Sequence, residues 1–452
     1  MQRLVLFVGY RNEDREQCSW PVPTQRNTMY SHHITFKLVA ISIVAAVCLL
    51  ASALVLGLVA ERKSLHEEAQ SEIGQTWGAS QTVVGPVLVF TQPSQSDTAV
   101  PLEQYVLPQS LKVDTILMPE VRSRGIYDTV VYTEKLKVSG VFNLDTIDEQ
   151  LLASTLTFSV ALSDARSIEA QISLDWNGAS VPFNPGPGAR MFEGAGIHAE
   201  VPYSPAIVEY PFSFELTIKG TGDAQFVPVG GETEVTITSP WKTPSFIGAF
   251  LPADRTISDT GFSAVWNVSS FGRNYPQVWR EGDVTFSALN DSAFGVRFVD
   301  GVDLYTQMFR SIKYAVLFIL ITFILFFLFE VLQKVRVHPI QYLLIGSALA
   351  LFYLLLLSLA EQIGFLYAYV LATGMITLLI TSYSASVLKQ KAGVLLVGMK
   401  LILLYGYLYF VLQMEEYALL FGALLLFALL ASVMFLTRTI DWFSMAKPEQ
   451  EK

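Results

Sequence analysis

Two histidines, His66 and His198, fall in the long segment between the apolar runs of this chain. A Ser-His-Asp hydrolase needs a serine aligned with an imidazole that a carboxylate orients. Here it would have to be assembled around His198 from unrelated strands, because no serine stands in a nucleophile-elbow sequence. The plainer reading of His198 is a surface or loop histidine beside a glycine-rich stretch, and His66 belongs to a charged helical one. Gly186, Gly188, Gly194 and Gly196 lack a phosphate-binding spacing and read as loop glycines. Cys18 and Cys48 are the two cysteines, so thiolates build no metal site and the middle segment carries no disulfide. The residue types predict no metal, no cofactor and no enzymatic activity; a periplasmic hydrolase is the last of three readings.

Ionisable residues within apolar runs are more diagnostic, because charge in hydrocarbon is costly. Glu330 stands four residues before Lys334, which predicts a helical ion pair at an interface. Lys400 lies about two turns into its run and can snorkel to the cytoplasmic face. Glu361 marks an outer end. None sits at a midplane and no run is broken, so a lipid or small-molecule transporter is the second reading. Thr381, Ser382, Ser384, Ala385 and Ser386 suit close helix packing or, alternatively, a polar groove. Tyr405, Tyr407, Tyr409 and Tyr417, with Trp442 and Phe443, read as two aromatic belts.

The elements that must position these residues follow from hydropathy. Of 452 residues, 52% are hydrophobic and 15% charged, which is too apolar for an ordinary soluble enzyme. The net charge of −10 argues against nucleic acid as a partner. Apolar runs of ~20 residues, the length that crosses a bilayer, occupy 38–60, 314–332, 341–360, 365–388, 394–412 and 417–436. Arg3, Arg11, Arg15, Arg26 and Lys37 precede the first run. Lys334, Arg336 and His338 follow the second, Lys389 and Lys391 the fourth, and Arg438 and Lys447 the last. The opposite short turns carry Glu361 or Glu415 and Glu416, so both termini are expected in the cytoplasm. Arg62, Lys63, Arg310 and Lys313 run against this pattern but flank a long translocated domain, to which the rule applies poorly.

The predicted fold class is therefore a membrane protein of α plus β type, with about six transmembrane helices (1+5) and a β-rich, sandwich-like periplasmic domain inserted after the first. The predicted divisions are a cytoplasmic segment at 1–37, an anchor at 38–60, the β-rich domain at 61–313, five helices at 314–436 and a tail at 437–452. Ala51-Ser52-Ala53 resembles a cleavage site, but the apolar run continues past it, which favours an uncleaved anchor. The segment before Met29 reads either as a tail or as a start-site artefact.

Within the β-rich domain, 61–73 reads as a helix continuing the anchor, with Leu65, Ala69 and Ile73 on one stripe. Val83–Phe90 is an apolar run bent at Gly85-Pro86. Period-two alternation marks 135–142, 155–162, 212–218 and 232–237, with turn residues between them, as in antiparallel sheets packed into a sandwich or open barrel. Trp241, Pro244, Phe246 and Phe250 concentrate aromatic and turn residues. They are candidates either for core packing at a sheet corner or for a partner-binding surface.

Several stretches resemble the CreD family of cell envelope integrity proteins. They are RGIYDTVVY (124–132), LSDARSIEA (162–170), GTGDAQFVPVGG (220–231), SPWKTPSFIGAFLP (239–252) and GFSAVW (261–266). KYAVLFILITFILFFLFE (313–330), VHPIQYLLIGSALALFYLLLLSLAEQ (337–362), EEYALLFG (415–422) and MFLTRTIDWFS (434–444) continue the series. The resemblance runs from Phe36 to Ser444. It implies a multi-pass protein of the Gram-negative inner membrane, linked to colicin tolerance and to a two-component envelope or β-lactam stress response as a regulated product. It implies no activity. Where the family often has Glu-His, this chain has Glu361-Gln362, so a histidine mechanism at that turn is unsupported. The expected partners are membrane lipid and, for the outer domain, an envelope protein, lipid or glycan, with the oligomeric state left open.

Overall fold

The computed structural model describes residues 29–92, 102–145, 155–166, 168, 172–192, 194–298, 304–333, 337–388, 391–414 and 417–438. Cys18, Lys334, Arg336, Lys389, Glu415, Glu416, Trp442, Phe443, Lys447 and the segment before Met29 lie outside them. The chain forms two compact units, one of 1–54, 311–354 and 371–452, the other of 55–310 and 355–370.

Helix α1 (Met29–Trp77) is continuous over 49 residues, so the anchor and the charged stretch after it are one element. Of the predicted stripe, Ala69 and Ile73 are buried, while Leu65 is exposed. The helix stops at Gly78, whose N–H donates to the Gly74 carbonyl at 2.9 Å. Gly78 has a positive φ, and a Cβ there would lie 2.4 Å from the Lys219 carbonyl oxygen. A glycine is therefore required where the chain leaves the helix.

Strands β1 (Gln81–Gln92), β2 (Leu102–Val106), β3 (Ser110–Arg124), β4 (Tyr127–Asn143), β5 (Thr155–Leu162), β6 (Ser173–Trp176), β7 (Ala179–Pro182), β8 (Asn184–Pro185) and β9 (Ala195–Glu200) follow. Then come β10 (Glu209–Thr221), β11 (Asp223–Phe226), β12 (Glu232–Ser239), β13 (Pro244–Gly248), β14 (Asp254–Ser258), β15 (Gly261–Ser269), β16 (Val278–Arg280), α2 (Phe286–Asn290) and β17 (Phe294–Phe298). One sheet runs β13-β17-β11-β1-β5-β9-β8, with β2 beside β1 and β16 beside β2. The other runs β14-β15-β12-β3-β4-β10-β6-β7. Pairing is antiparallel except for β1 with β11 and β3 with β12, a mixture that alternation alone does not reveal. At Gly85-Pro86 the ladder from β1 to β5 shifts between Val84 and Val87, so the apolar run continues through a bulge.

The sheets share one core. Phe158 of the first sheet meets Phe212, Phe214, Phe142 and Trp176 of the second with ring centroids 5.3 to 6.0 Å apart. Trp266 likewise meets Phe294 at 5.5 Å. Edge-to-face and tilted pairs of this kind add about 1 kcal/mol each beyond simple burial.

The remaining helices are α3 (Leu304–Lys313), α4 (Ala315–Gln333), α5 (Pro339–Ile363), α6 (Phe365–Leu388), α7 (Lys391–Gln413) and α8 (Ala418–Thr437). Among the described residues five helices are long and apolar enough to cross a membrane. The sixth expected span falls on a shorter apolar stretch, Leu419–Phe435. Gly346 of α5 lies against Cys48 of α1, where a Cβ would come 2.4 Å from the sulfur, so small residues set the close approach of these helices.

Of the buried carboxyls Glu103, Glu134 and Asp164, the first and last pair with Arg190 and Arg166, and Glu134 forms no ion pair among the described residues. Glu134 of β4 is 1% exposed. Its Oε1 accepts from the Thr115 hydroxyl at 3.1 Å, and its Oε2 has no partner among the described residues. Burial pushes its pKa up to about 8, against ~4.3 for a solvated Glu. Between those values the folded state holds the extra proton, so stability falls as pH rises through this window and levels off above it. The slope is at most about 1.4 kcal/mol per pH unit. Glu134→Gln is expected to flatten this slope and to raise the melting temperature at pH 8, followed by tryptophan fluorescence of the full chain. An unchanged slope would show that Glu134 is not the group responsible.

Candidate functional site

Ionisable and aromatic side chains from four separated segments converge beside the C-terminal end of α5. On α1, Arg62 and His66 stand four residues apart and so share a face. The β3–β4 hairpin turns through Gly125, at a φ of 65°, and returns with Tyr127. Helix α3 brings Tyr305, which is buried. Helix α5 brings Glu361 and is closed by Gly364, whose φ is 78° and whose N–H donates to the Ala360 carbonyl.

The Tyr305 hydroxyl donates to Glu361 Oε1 at 3.4 Å. The Arg62 guanidinium lies in the fields of both Glu361 and the Tyr127 hydroxyl. The His66 ring stands edge-on to Tyr127 at 5.5 Å and tilted against Tyr305 at 5.7 Å. Further along α1, Glu72 pairs with Arg124 at 2.7 Å. The Trp77 ring is held between the Arg122 guanidinium at 3.8 Å and the Lys219 ammonium at 4.6 Å. Its indole N–H reaches the Tyr132 carbonyl at 3.3 Å. The set fastens helix, hairpin and helix end by charge and ring contacts, and it presents no nucleophile aligned with a base.

Sequence reasoning names Glu361 and His66 singly, and Arg62 only as a charge against the orientation rule; it passes over Tyr127 and Tyr305 and joins none of them. Their partners lie far away in the chain, and no local spacing signals them.

Glu330, whose expected partner Lys334 lies outside the described residues, pairs with Lys37 of α1. Its other oxygen lies 3.5 Å from the Tyr342 hydroxyl of α5. Three helices thus meet where one helical pair was expected. Lys400 lies on an exposed face of α7. Tyr405 is not in an aromatic belt: it is 1% exposed and packs between Phe318 and Phe352, at 5.1 and 4.6 Å. Ser384 donates to the Ile380 carbonyl and Thr381 covers Gly398, which is helix packing. The buried hydroxyls of Thr322 and Thr377 have no partner among the described residues.

Trp241, Phe246 and Phe250 are half-buried against the core of the sandwich. Phe246 packs on Phe262 and Trp266, Trp241 on Phe298, and Phe250 on Phe294. Pro244 opens β13, the edge strand that pairs with β17.

His198 lies on β9 rather than in a loop, directly opposite Ser159 of β5. Its Nδ1 lies 2.8 Å from the Gly186 carbonyl, and the Ser159 hydroxyl donates to the Pro187 carbonyl. Both side chains tie down the glycine-rich loop, and Ser159 donates its proton to a carbonyl instead of to a base. Among the described residues no group of three or more His, Cys, Asp and Glu could hold a metal ion.

A family model described as inner membrane protein CreD matches residues 33–443. The chain is 32% identical over 409 residues to the inner membrane protein CreD of Escherichia coli K12, covering 87% of this chain and 90% of that one. An M1 zinc metallopeptidase mutant of Deinococcus radiodurans, solved with a bound peptide substrate, matches 36% of this chain and 39% of its own. With 12% identity and a TM-score of 0.18, that likeness carries no argument.

If Arg62 and Glu361 hold the site together, their substitutions will not be additive. A double-mutant cycle of Arg62→Met and Glu361→Gln in detergent-solubilised protein is expected to give a coupling of about 1 kcal/mol. Strict additivity would dissolve the pair.

Proposed function

Because the chain belongs to the CreD family of inner membrane proteins, we propose that it supports cell envelope integrity, and with it stress and colicin tolerance, without catalysis and through its β-rich domain. In this reading that domain faces the periplasm and both termini the cytoplasm. The observation that carries the reading is the family match, which extends over anchor, sandwich and helices together rather than over one of them. The lysine and arginine bias of the short loops supports the orientation. The engagement of Ser159 and His198 with backbone carbonyls supports the absence of hydrolysis. Lipid or small-molecule transport is the second reading, favoured by the partnerless hydroxyls of Thr322 and Thr377 in an apolar bundle.

In this proposal Trp241, Pro244, Phe246 and Phe250 hold the corner of the sandwich, and Glu330 and Glu361 fasten helices. A deletion strain complemented with variants tests it. His198→Ala is expected to restore colicin tolerance and a leak-tight envelope in full. Trp241→Ala is expected to lower the melting temperature by several degrees, an effect of about 2 kcal/mol, and to reduce tolerance only as far as it reduces the amount of folded protein. Loss of tolerance in a fully folded His198→Ala protein would instead point to chemistry at that histidine.

A further inference from the structure

Strands β3 and β4 outrun the rest of their sheet. The ladder of β3 with β12 ends at Ile116 and that of β4 with β10 at Val131. The two strands stay paired with each other as far as Arg124 and Tyr127. Beyond their neighbours they form a two-stranded ribbon, which is only marginally stable in water by itself. Here α1 backs the ribbon through Trp77 against Arg122, Glu72 against Arg124 and His66 against Tyr127. Just short of the turn the Ser123 hydroxyl donates to Asp128 at 2.6 Å and pins the strands together.

The turn itself is Gly125-Ile126. Glycine at the first of two turn positions, with a φ of 65°, is the usual device of a tight hairpin. Isoleucine at the second is not, because exposed turn positions go to Gly, Asn, Asp and Ser. Ile126 is nevertheless 44% exposed.

The neighbours of the turn identify what Ile126 meets. The apolar runs of α1 and α5 end at Ala60 and Ala360. Just beyond them Arg62 lies in the field of Glu361, so the two helices leave the hydrocarbon at one level. Tyr127 acts on Arg62, and its ring stands 5.5 Å from that of His66. At ~1.5 Å per helical residue, Arg62 and His66 lie about 3 and about 9 Å beyond Ala60. The headgroup layer on each face of a bilayer is roughly 5–8 Å thick. The hairpin therefore descends along α1 to headgroup depth, where a tyrosine ring is at home.

The cations of the ribbon call for no anionic lipid, since Arg122 pairs with Glu120 and Arg124 with Glu72. A stable protein partner would bury on the order of 800 Å² on this side. One isoleucine on a two-residue turn supplies a small part of that. We propose that the tip of the β3–β4 hairpin, Ile126 with Tyr127 behind it, is a membrane-contact element seated among phospholipid headgroups. The contacts around Arg62 and Glu361 then set the depth of the tip. The proposal rests on the reading of α1 and α5 as membrane spans.

The test is fluorescence of the full chain in phosphatidylcholine nanodiscs, with its native cysteines replaced and a single NBD label. Labels are placed at Ile126→Cys, at Leu54→Cys in the α1 span and at Glu209→Cys. Glu209 pairs with Asn143, about 50 Å along β4 from the tip at ~3.3 Å per residue. The label at 126 is expected to be quenched about twofold or more by lipid spin-labelled at the headgroup, and less by lipid spin-labelled in the acyl chain. The label at 54 is expected to show the reverse order, and the label at 209 no quenching by either lipid. A label at 126 that neither lipid quenches, beside a quenched label at 54, overturns the proposal, whether water or protein surrounds the tip. Quenching at 126 that appears only after anionic lipid is added overturns it as well. An unquenched label at 54 would instead overturn the reading of α1 as a span, and the proposal with it.

Discussion

The β-rich domain depends on how α1 ends. An exposed tryptophan at a helix terminus would cost apolar surface, but Trp77 is taken between two cations that belong to different strands, Arg122 of β3 and Lys219 of β10. Its indole N–H is used by β4. Three neighbouring strands therefore hold a single ring, and Gly78 permits the chain to turn immediately beneath it, against the Lys219 carbonyl. From there β1 enters the other sheet. The position of Trp77 thus fixes one sheet from outside, while the chain following it threads the second. The inter-sheet aromatic contacts complete the sandwich.

The same helix explains charges that orientation rules leave aside. Arg62 runs against the positive-inside pattern, and discounting it is justified by the long domain that follows. The structure adds a local reason, because Arg62 shares its surroundings with Glu361, Tyr127 and Tyr305. Fully hydrated, such a pair would be worth little. The ring contacts of His66 with Tyr127 and Tyr305 and the Tyr305 hydrogen bond to Glu361 add to what the half-exposed charges supply.

Much of the architecture was legible in the sequence because it rests on local pattern. The hydropathy run at 365–388 coincides with α6, and the alternation at 155–162 coincides with β5. The helical stripe through Ala69 and Ile73 lies on the helix that contains the anchor. What escaped is non-local. Strand order, and the two parallel pairings in particular, depends on contacts between segments whose patterns are alike. Glu330 pairs with Lys37, 293 positions away, a contact that no local spacing announces. Tyr405 has a belt residue's chemistry and position, but its ring fills a gap between Phe318 and Phe352. The candidate site was the least legible part, since Glu361 stood out only by its place at the end of an apolar run and His66 only as a histidine of a charged helical stretch.

The central claim is that the sandwich is held rigidly on a continuous helix by the clamp on Trp77. The direct measurement is the distance distribution between spin labels at Ser71 of α1 and Glu215 of β10, recorded by pulsed dipolar spectroscopy on the full chain with its native cysteines replaced. The account predicts one narrow distribution that broadens when Trp77 is changed to Ala. A broad distribution in the parent chain, or a narrow one that survives the loss of Trp77, would contradict it.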